Sequence, residues 1–187
     1  MMDFKEQVQT SKLVFDGGFV KVERQQVTLP DQTPATRDIV RHQPAIAVLM
    51  VTAANELILV KQWRAATDGV TLEIPAGKVE PGETAVTAAV RELNEETRLV
   101  AAQLDQVAGF YTSPGFTDEY MTLYVATGLS PVEQALPQDA DERLHLEKMS
   151  LATALTAVTT GQIADAKTIM AIWYWQNHPT LGGTVHG

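Results

Sequence analysis

Between Ala76 and Val100 the sequence AGKVEPGETAVTAAVRELNEETRLV sets Glu83, Glu92, Glu95 and Glu96 in and around an alanine-rich segment. Val86, Val90, Leu93 and Thr97 recur there at helical spacing, which predicts a helix from about Thr84 to Thr97. Positions three and four apart share a helix face, so Glu92 lies beside both Glu95 and Glu96, and like charges so placed weaken the helix unless cations sit between them. Hard divalent ions such as Mg²⁺ or Mn²⁺ take oxygen ligands and keep water or phosphate oxygens in their remaining positions. The cluster therefore reads as a magnesium platform, with the carbonyl of Ala76 as a further oxygen ligand. Glu83 falls in the preceding turn, near the positive end of the helix. Taken alone, RELNEE reads first as a solvated helix face, with metal binding the minority reading.

The elements that must hold this helix are mostly strands. Lys12 to Leu29 shows two β-prone runs around Gly17-Gly18, a hairpin signature, and a Pro-containing turn leads to a third strand ending near Arg41. Ala45 to Arg64 has two apolar runs split by Ala54-Asn55-Glu56, which reads as a hairpin with a buried first strand. TLEIPAG is a short strand stopped at Pro75-Ala76-Gly77. Beyond the helix come a strand, a loop at Ser113 to Gly115, a strand from Tyr120 to Thr127, a polar loop, a strand near Leu144 to Met149, and two helical segments. Strands mixed with few helices predict an α/β sandwich. Phe15 and Phe19 are candidates for stacking on a base, with core packing the better-supported alternative; Trp173, Tyr174 and Trp175 read as packing residues.

Composition excludes several classes. The chain has 187 residues, 45% of them hydrophobic, enough for one domain core with a small appendage. A net charge of -9 argues against nucleic-acid or anionic-membrane partners, which reward clustered Lys and Arg. An acidic protein acting on an anionic substrate needs local cations, either arginines or metal ions. With no cysteine, disulfides, thiol catalysis and thiolate metal sites are excluded, and a cytoplasmic location is expected. MMDFKEQVQTSK lacks the apolar run of a signal peptide, and no apolar stretch approaches the ~20 residues of a membrane span.

Gly77, five residues, Glu83, seven residues, Arg91-Glu92-Leu93, one residue and Glu95-Glu96 resemble the Nudix hydrolase box, G-x5-E-x7-R-E-U-x-E-E-x-G-U with U aliphatic. Arg98 stands where the box has its second glycine; such a glycine supports a left-handed helix terminus. The resemblance implies a Nudix-type α/β/α sandwich of mixed sheets with a loop-helix-loop metal site. It also implies a small N-terminal β subdomain at residues 1–41, serving as a dimer contact, and a hydrolase domain at 42–187. Metal ligands would be Ala76, Glu92, Glu95, Glu96 and Glu142, the ion Mg²⁺ with Mn²⁺ as the alternative. Gly77, Glu83 and Arg91 would shape the box, Arg91 pairing with Glu83 to hold the carboxylates apart.

Outside the box, TRDIVRHQPAIAVL, LVKQWR, LEIPAGKVEPGE, YTSPGFTDE and DAKTI resemble the ADP-ribose pyrophosphatase branch, and Pro114, 15 residues beyond Leu99, stands about where that branch carries its distinguishing proline. By that matching Arg41 and Arg64 are candidates to hold the pyrophosphate, with a guanidinium's two-pronged geometry; on residues alone the favoured reading of both is an exposed strand arginine. Glu73, Gly115, Phe116 and Glu119 complete the implied substrate-binding set. The branch implies hydrolysis of ADP-ribose to AMP and ribose 5-phosphate by a homodimer, with the base on an acidic loop. Here that loop reads Asp139-Ala140-Asp141-Glu142. Glu142 is the favoured base, and Asp139, Asp141 or Glu95 are the alternatives. Another nucleoside diphosphate derivative, such as a nucleotide sugar or NADH, is the competing substrate. A nucleotide-sensing module without turnover is the non-enzymatic reading, and it predicts a damaged box.

Overall fold

The computed structural model describes residues 4–138 and 143–182. Two compact units share the chain: Met1–Pro44 with Phe110–Met121, and Ala45–Gly109 with Thr122–Gly187.

The first unit is built on a three-stranded sheet in the order β1-β2-β3, from β1 (Gln7–Asp16), β2 (Lys21–Thr28) and β3 (Pro34–Arg41). β2 and β3 pair antiparallel without a slip from Lys21↔Arg41 to Thr28↔Pro34, whereas β1 breaks register twice against β2. Every residue of β1 is exposed, Val8, Leu13, Val14 and Phe15 included. Phe15 and Phe19 are 55% and 65% exposed, so among the described residues neither is a core residue. The loop that returns to this unit is tied to the end of β3, with Val40 N donating to Phe116 O at 2.7 Å and Asp118 N to Val40 O at 3.3 Å.

The second unit holds β4 (Ala45–Met50), β5 (Glu56–Arg64), β6 (Gly69–Glu73), β7 (Ala76–Lys78), α1 (Ala85–Glu92), most of β8 (Leu99–Tyr111) and β9 (Tyr120–Pro131), β10 (His145–Ser150), α2 (Leu151–Thr159) and α3 (Ala166–Asn177). Its sheets run β7-β4-β9-β8 and β10-β5-β6, a mixed α/β architecture. All six residues of β4 are buried, because α1 and α3 both pack on it. That double coverage is why the strand is a continuous apolar run rather than an alternating one. Ile46, Val48 and Met50 form a core with Ala88, Ala89 and Leu93 from α1 and its continuation. Trp175 of α3 is buried, while Trp173 is exposed.

The hairpin expected over Ala45 to Arg64 forms only at its turn. β4 and β5 enter different sheets and are joined by a tight antiparallel turn, with the bridge Val51↔Leu57 and Thr52 N donating to Glu56 O at 2.9 Å. β4 takes β7 and β9 as neighbours and β5 takes β6 and β10, so each strand's two edges are already used. No helix among the described residues is long and apolar enough to cross a membrane.

Candidate active site

The β7–α1 connection places the box. Val48 N donates to Pro75 O at 2.8 Å, and β7 pairs with β4 at Ala47↔Ala76 and Ile46↔Gly77, which pins the corner. The loop then turns through Gly82 at φ 86°, Glu80 N donates to Glu83 Oε2 at 3.0 Å, and Thr84 caps α1 by accepting from Thr87 N at 3.2 Å. α1 gives way at Leu93 to a π turn, Leu93–Thr97, which ends on Arg98 in the left-handed region at φ 61°, ψ 27°. The predicted span is helical throughout, but its last turn is wider than the α spacing assumed from sequence.

Arg91 organises the carboxylates. Nε and Nη2 donate to Glu83 at 3.1 Å each, Nη2 also to Lys78 O at 2.9 Å, and Nη1 to Glu92 at 2.7 Å and Glu95 at 2.9 Å. Those bonds match a guanidinium's full set of N–H donors, so Arg91 has none left for a substrate. The Glu83 hydrogen bonds are the main cause raising its pKa above the ordinary arginine value, and they lower that of Glu83 in return. Glu92 and Glu96 are buried, and Glu95 is half-buried.

Gly77 is required by close approach. A Cβ there would stand 1.8 Å from Glu92 Oε1, so the carboxylate lies against the β7 backbone beside Ala76. Ala76, Gly77, Glu83, Arg91, Glu92 and Glu95 are thus gathered at one corner, with Glu96 on the same π turn. Among the described residues no three acidic or histidine side chains form a ready-made metal cage. Buried carboxylates packed beside backbone amides and carbonyls form an all-oxygen donor set. It fits an ion that binds one or two carboxylates and fills its remaining positions with water and phosphate oxygens, rather than one enclosed by protein. Glu142 lies outside the described residues, as do Asp139, Ala140 and Asp141.

A second constellation in the same unit surrounds Glu73, which ends β6 and is only 3% exposed. Arg64 Nε and Nη2 donate to its two oxygens at 2.8 and 2.7 Å, Thr71 Oγ1 donates at 2.6 Å, and Lys167 Nζ at 2.5 Å. Burial alone would raise the Glu73 pKa. The Arg64 hydrogen bonds, with the charge and hydrogen bond of Lys167, bring it instead to about 2. Arg64 is raised chiefly by its hydrogen bonds to Glu73, with smaller contributions from the charges of Asp165 and Glu96.

Lys167 and Asp165 belong to this network; both fall in the DAKTI segment matched to the family branch, but the sequence alone assigns neither a role. Asp165 caps α3 by accepting from Thr168 N at 3.0 Å, and Thr168 Oγ1 accepts from Ile74 N at 2.8 Å, joining α3 to the end of β6. The signal that was available is a lysine in the first turn of an otherwise apolar helix, the wrong end of the dipole for a cation unless carboxylates face it.

Arg41, Gly115, Phe116 and Glu119 fall in the first unit. Arg41 donates to Glu23 and Asp118 at 3.0 Å each, and its hydrogen bond is the main cause lowering the Glu23 pKa. Arg41, Gly115, Phe116 and Asp118 help line a cavity of about 440 Å³. Glu119 is not among the lining residues; it accepts from Thr112 Oγ1 at 2.6 Å and lies 3.3 Å from His42 Nδ1. Phe19 meets His42 edge-on, with ring centroids 5.9 Å apart.

Comparison with known proteins bears on the family and the fold. The model of the NUDIX domain matches residues 41–171. The chain is 40% identical over 178 residues to a methanol dehydrogenase activator of Bacillus methanolicus, covering 95% of this chain and 96% of that one. It is 39% identical over 176 residues to an ADP-ribose pyrophosphatase of Bacillus subtilis, covering 94% and 95%. The crystal structure of an ADP compounds hydrolase superimposes with a TM-score of 0.83 at 21% identity, covering 93% of this chain and 96% of that one, which is a likeness of fold.

Proposed function

The chain belongs to the Nudix family of hydrolases, and on that premise we propose that it cleaves the pyrophosphate bond of ADP-ribose, giving AMP and ribose 5-phosphate, with Mg²⁺ as the working ion. The observation that carries this reading is the pairing, within one unit, of an arginine pre-oriented for an anion with an all-oxygen carboxylate corner. Arg64 is gripped along one edge by Glu73 and belongs to the same unit as the box carboxylates. The full-length likeness to an ADP-ribose pyrophosphatase supports the substrate.

In this mechanism Glu92, Glu96, Glu95 and the Ala76 carbonyl, with Glu142 by the family resemblance, would hold the ion. A divalent ion in such a site neutralises phosphoryl charge and lowers the pKa of bound water. Arg64 binds and orients the diphosphate through the part of its guanidinium that Glu73 leaves open. Glu73 stays in the proposed substrate-binding set, and its hydrogen bonds from Arg64, Thr71 and Lys167 support a part exerted through Arg64. Arg91 keeps the carboxylates apart and in place. Glu142 keeps its assignment as base on sequence grounds, Glu95 being the alternative, and Glu142→Gln is expected to lower kcat. Substrate contacts by Arg41, Gly115, Phe116 and Glu119 belong to the same proposal and are tested separately by Arg41→Ala. The bare apolar residues of β1 support a homodimer through the N-terminal sheet, and the absence of cysteine supports a cytoplasmic location.

The test is product analysis by mass after hydrolysis of ADP-ribose in ¹⁸O-water. Formation of AMP and ribose 5-phosphate, one of them carrying a single ¹⁸O, is expected; a protein that turns over NADH or a nucleotide sugar but not ADP-ribose would overturn the substrate assignment. The likeness to a methanol dehydrogenase activator favours a second reading, in which this chain raises the activity of a dehydrogenase. Adding it to a purified methanol dehydrogenase and measuring alcohol oxidation tests that reading directly.

A further inference from the structure

Lys167 is a costly residue to keep where it is. It is the second residue of α3, where the helix dipole opposes a cation, and it is 8% exposed, so burial opposes its charge as well. Replacing a buried ion pair by apolar residues is often neutral or stabilising, so packing alone gives no reason for a lysine there. Its Nζ donates to Glu73 at 2.5 Å and to Asp165 at 3.0 Å.

Glu73 is shared between two cations. One faces inward, Lys167; the other, Arg64, has a side chain 44% exposed and turns its Nη1 away from the Glu73 pair. Arg64, Lys167, Glu73 and Asp165 together are neutral. Without Lys167 the remaining three carry a net charge of -1, beside the arginine that is to receive an anion. Glu73 would then compensate Arg64 alone, and the uncompensated charge of Asp165 would add repulsion.

We infer that Lys167 is a positioning residue for substrate affinity: by holding part of the Glu73 carboxylate and neutralising Asp165, it leaves Arg64 able to take the diphosphate of a nucleoside diphosphate sugar. The inference rests on Arg64 being the diphosphate-binding arginine of the proposed reaction. It assigns the start of α3, 94 residues from Glu73 in sequence, a part in setting KM rather than in the chemical step.

The experiment compares Lys167→Met, Lys167→Gln, Lys167→Arg and Arg64→Ala in the full chain. It measures kcat and KM for ADP-ribose at saturating Mg²⁺, together with the Kd of the non-hydrolysable α,β-methylene analogue by calorimetry. Lys167→Met and Lys167→Gln are expected to raise KM and Kd about ten-fold while changing kcat by less than about three-fold, and Lys167→Arg to restore most of the affinity. A merely structural lysine behaves differently: its loss lowers the folded fraction, so apparent kcat falls and KM stays. If Arg64→Ala raises KM while both neutral Lys167 variants leave KM and Kd unchanged, the inference is overturned and the proposed site stands. If Arg64→Ala itself leaves KM unchanged, the assignment of Arg64 fails and the inference falls with it.

Discussion

The guanidinium of Arg91 reaches back eight residues to grip Glu83 through two nitrogens, Nε to Oε1 and Nη2 to Oε2, each at 3.1 Å. This fork closes the loop before α1 onto the helix, and the remaining donors of the same group hold Glu92 and Glu95. A lysine carries the charge but not the fork. Arg91→Lys is expected to lower unfolding free energy in urea by about 2 kcal/mol and kcat by about 100-fold, since displaced carboxylates misplace whatever they hold. A variant with an unaltered urea midpoint would show that the network does not support the fold.

Gly77 and Glu92 form one tight contact, and two substitutions probe it from opposite sides. Gly77→Ala drives a methyl group into the carboxylate, so activity should fall at least ten-fold and stability by about 1 to 3 kcal/mol. Glu92→Gln leaves the space intact but removes the ion pair to Arg91; it should lose most activity, as should Glu96→Gln, and need more Mg²⁺ for half-maximal rate. Wild-type turnover by either glutamine variant at limiting Mg²⁺ would remove the metal site from this corner.

Arg98 occupies a left-handed terminus that suits glycine, a conformation costing an L-residue about 1 kcal/mol. Its guanidinium nevertheless donates to Leu136 O and to Asn94 O, and its carbonyl accepts from Val132 N at 3.1 Å. Asn94 binds the same segment, through Gln134 O and Leu136 N at 2.9 Å each. A charge-assisted bond to a part-buried carbonyl contributes about 1.5 to 3 kcal/mol, more than the relief of backbone strain. Arg98→Gly is therefore expected to be less stable than wild type by about 1 kcal/mol in chemical denaturation; a stabilised variant would show that the side-chain bonds contribute little.

Glu73 gives a pH dependence with a definite sign. Its folded pKa, about 2, lies below the ordinary glutamate value of 4.5. Its charge therefore adds stability that is fully present above the unfolded pKa and is lost as pH falls toward 2. The shift corresponds to about 3 kcal/mol. The stability difference between wild type and Glu73→Gln, followed by thermal melting, should be constant above about pH 5.5 and shrink between about pH 4.5 and 2. A difference independent of pH across that window would mean that Glu73 does not fold as a buried anion.

The box was legible in sequence because it is local. Gly77, Glu83, Arg91, Glu92, Glu95 and Glu96 lie within one loop and helix, where spacing translates directly into geometry, and the continuous apolar run of β4 already implied cover on both faces. Even there, the sequence assumed one helical pitch, whereas the π turn from Leu93 to Thr97 and the left-handed Arg98 redistribute the glutamates. What lies far apart along the chain was decided by tertiary structure alone. Lys167 meets Glu73, Arg41 meets Asp118, Phe110–Met121 joins the N-terminal strands, and β4 and β5 part into different sheets. Periodicity records which face of an element is apolar, but not which element will cover it. That choice depends on the competing burial and hydrogen-bond pairing of the whole chain, so the partners of Arg64 and Arg41 became visible only when the sheets and helices were assembled.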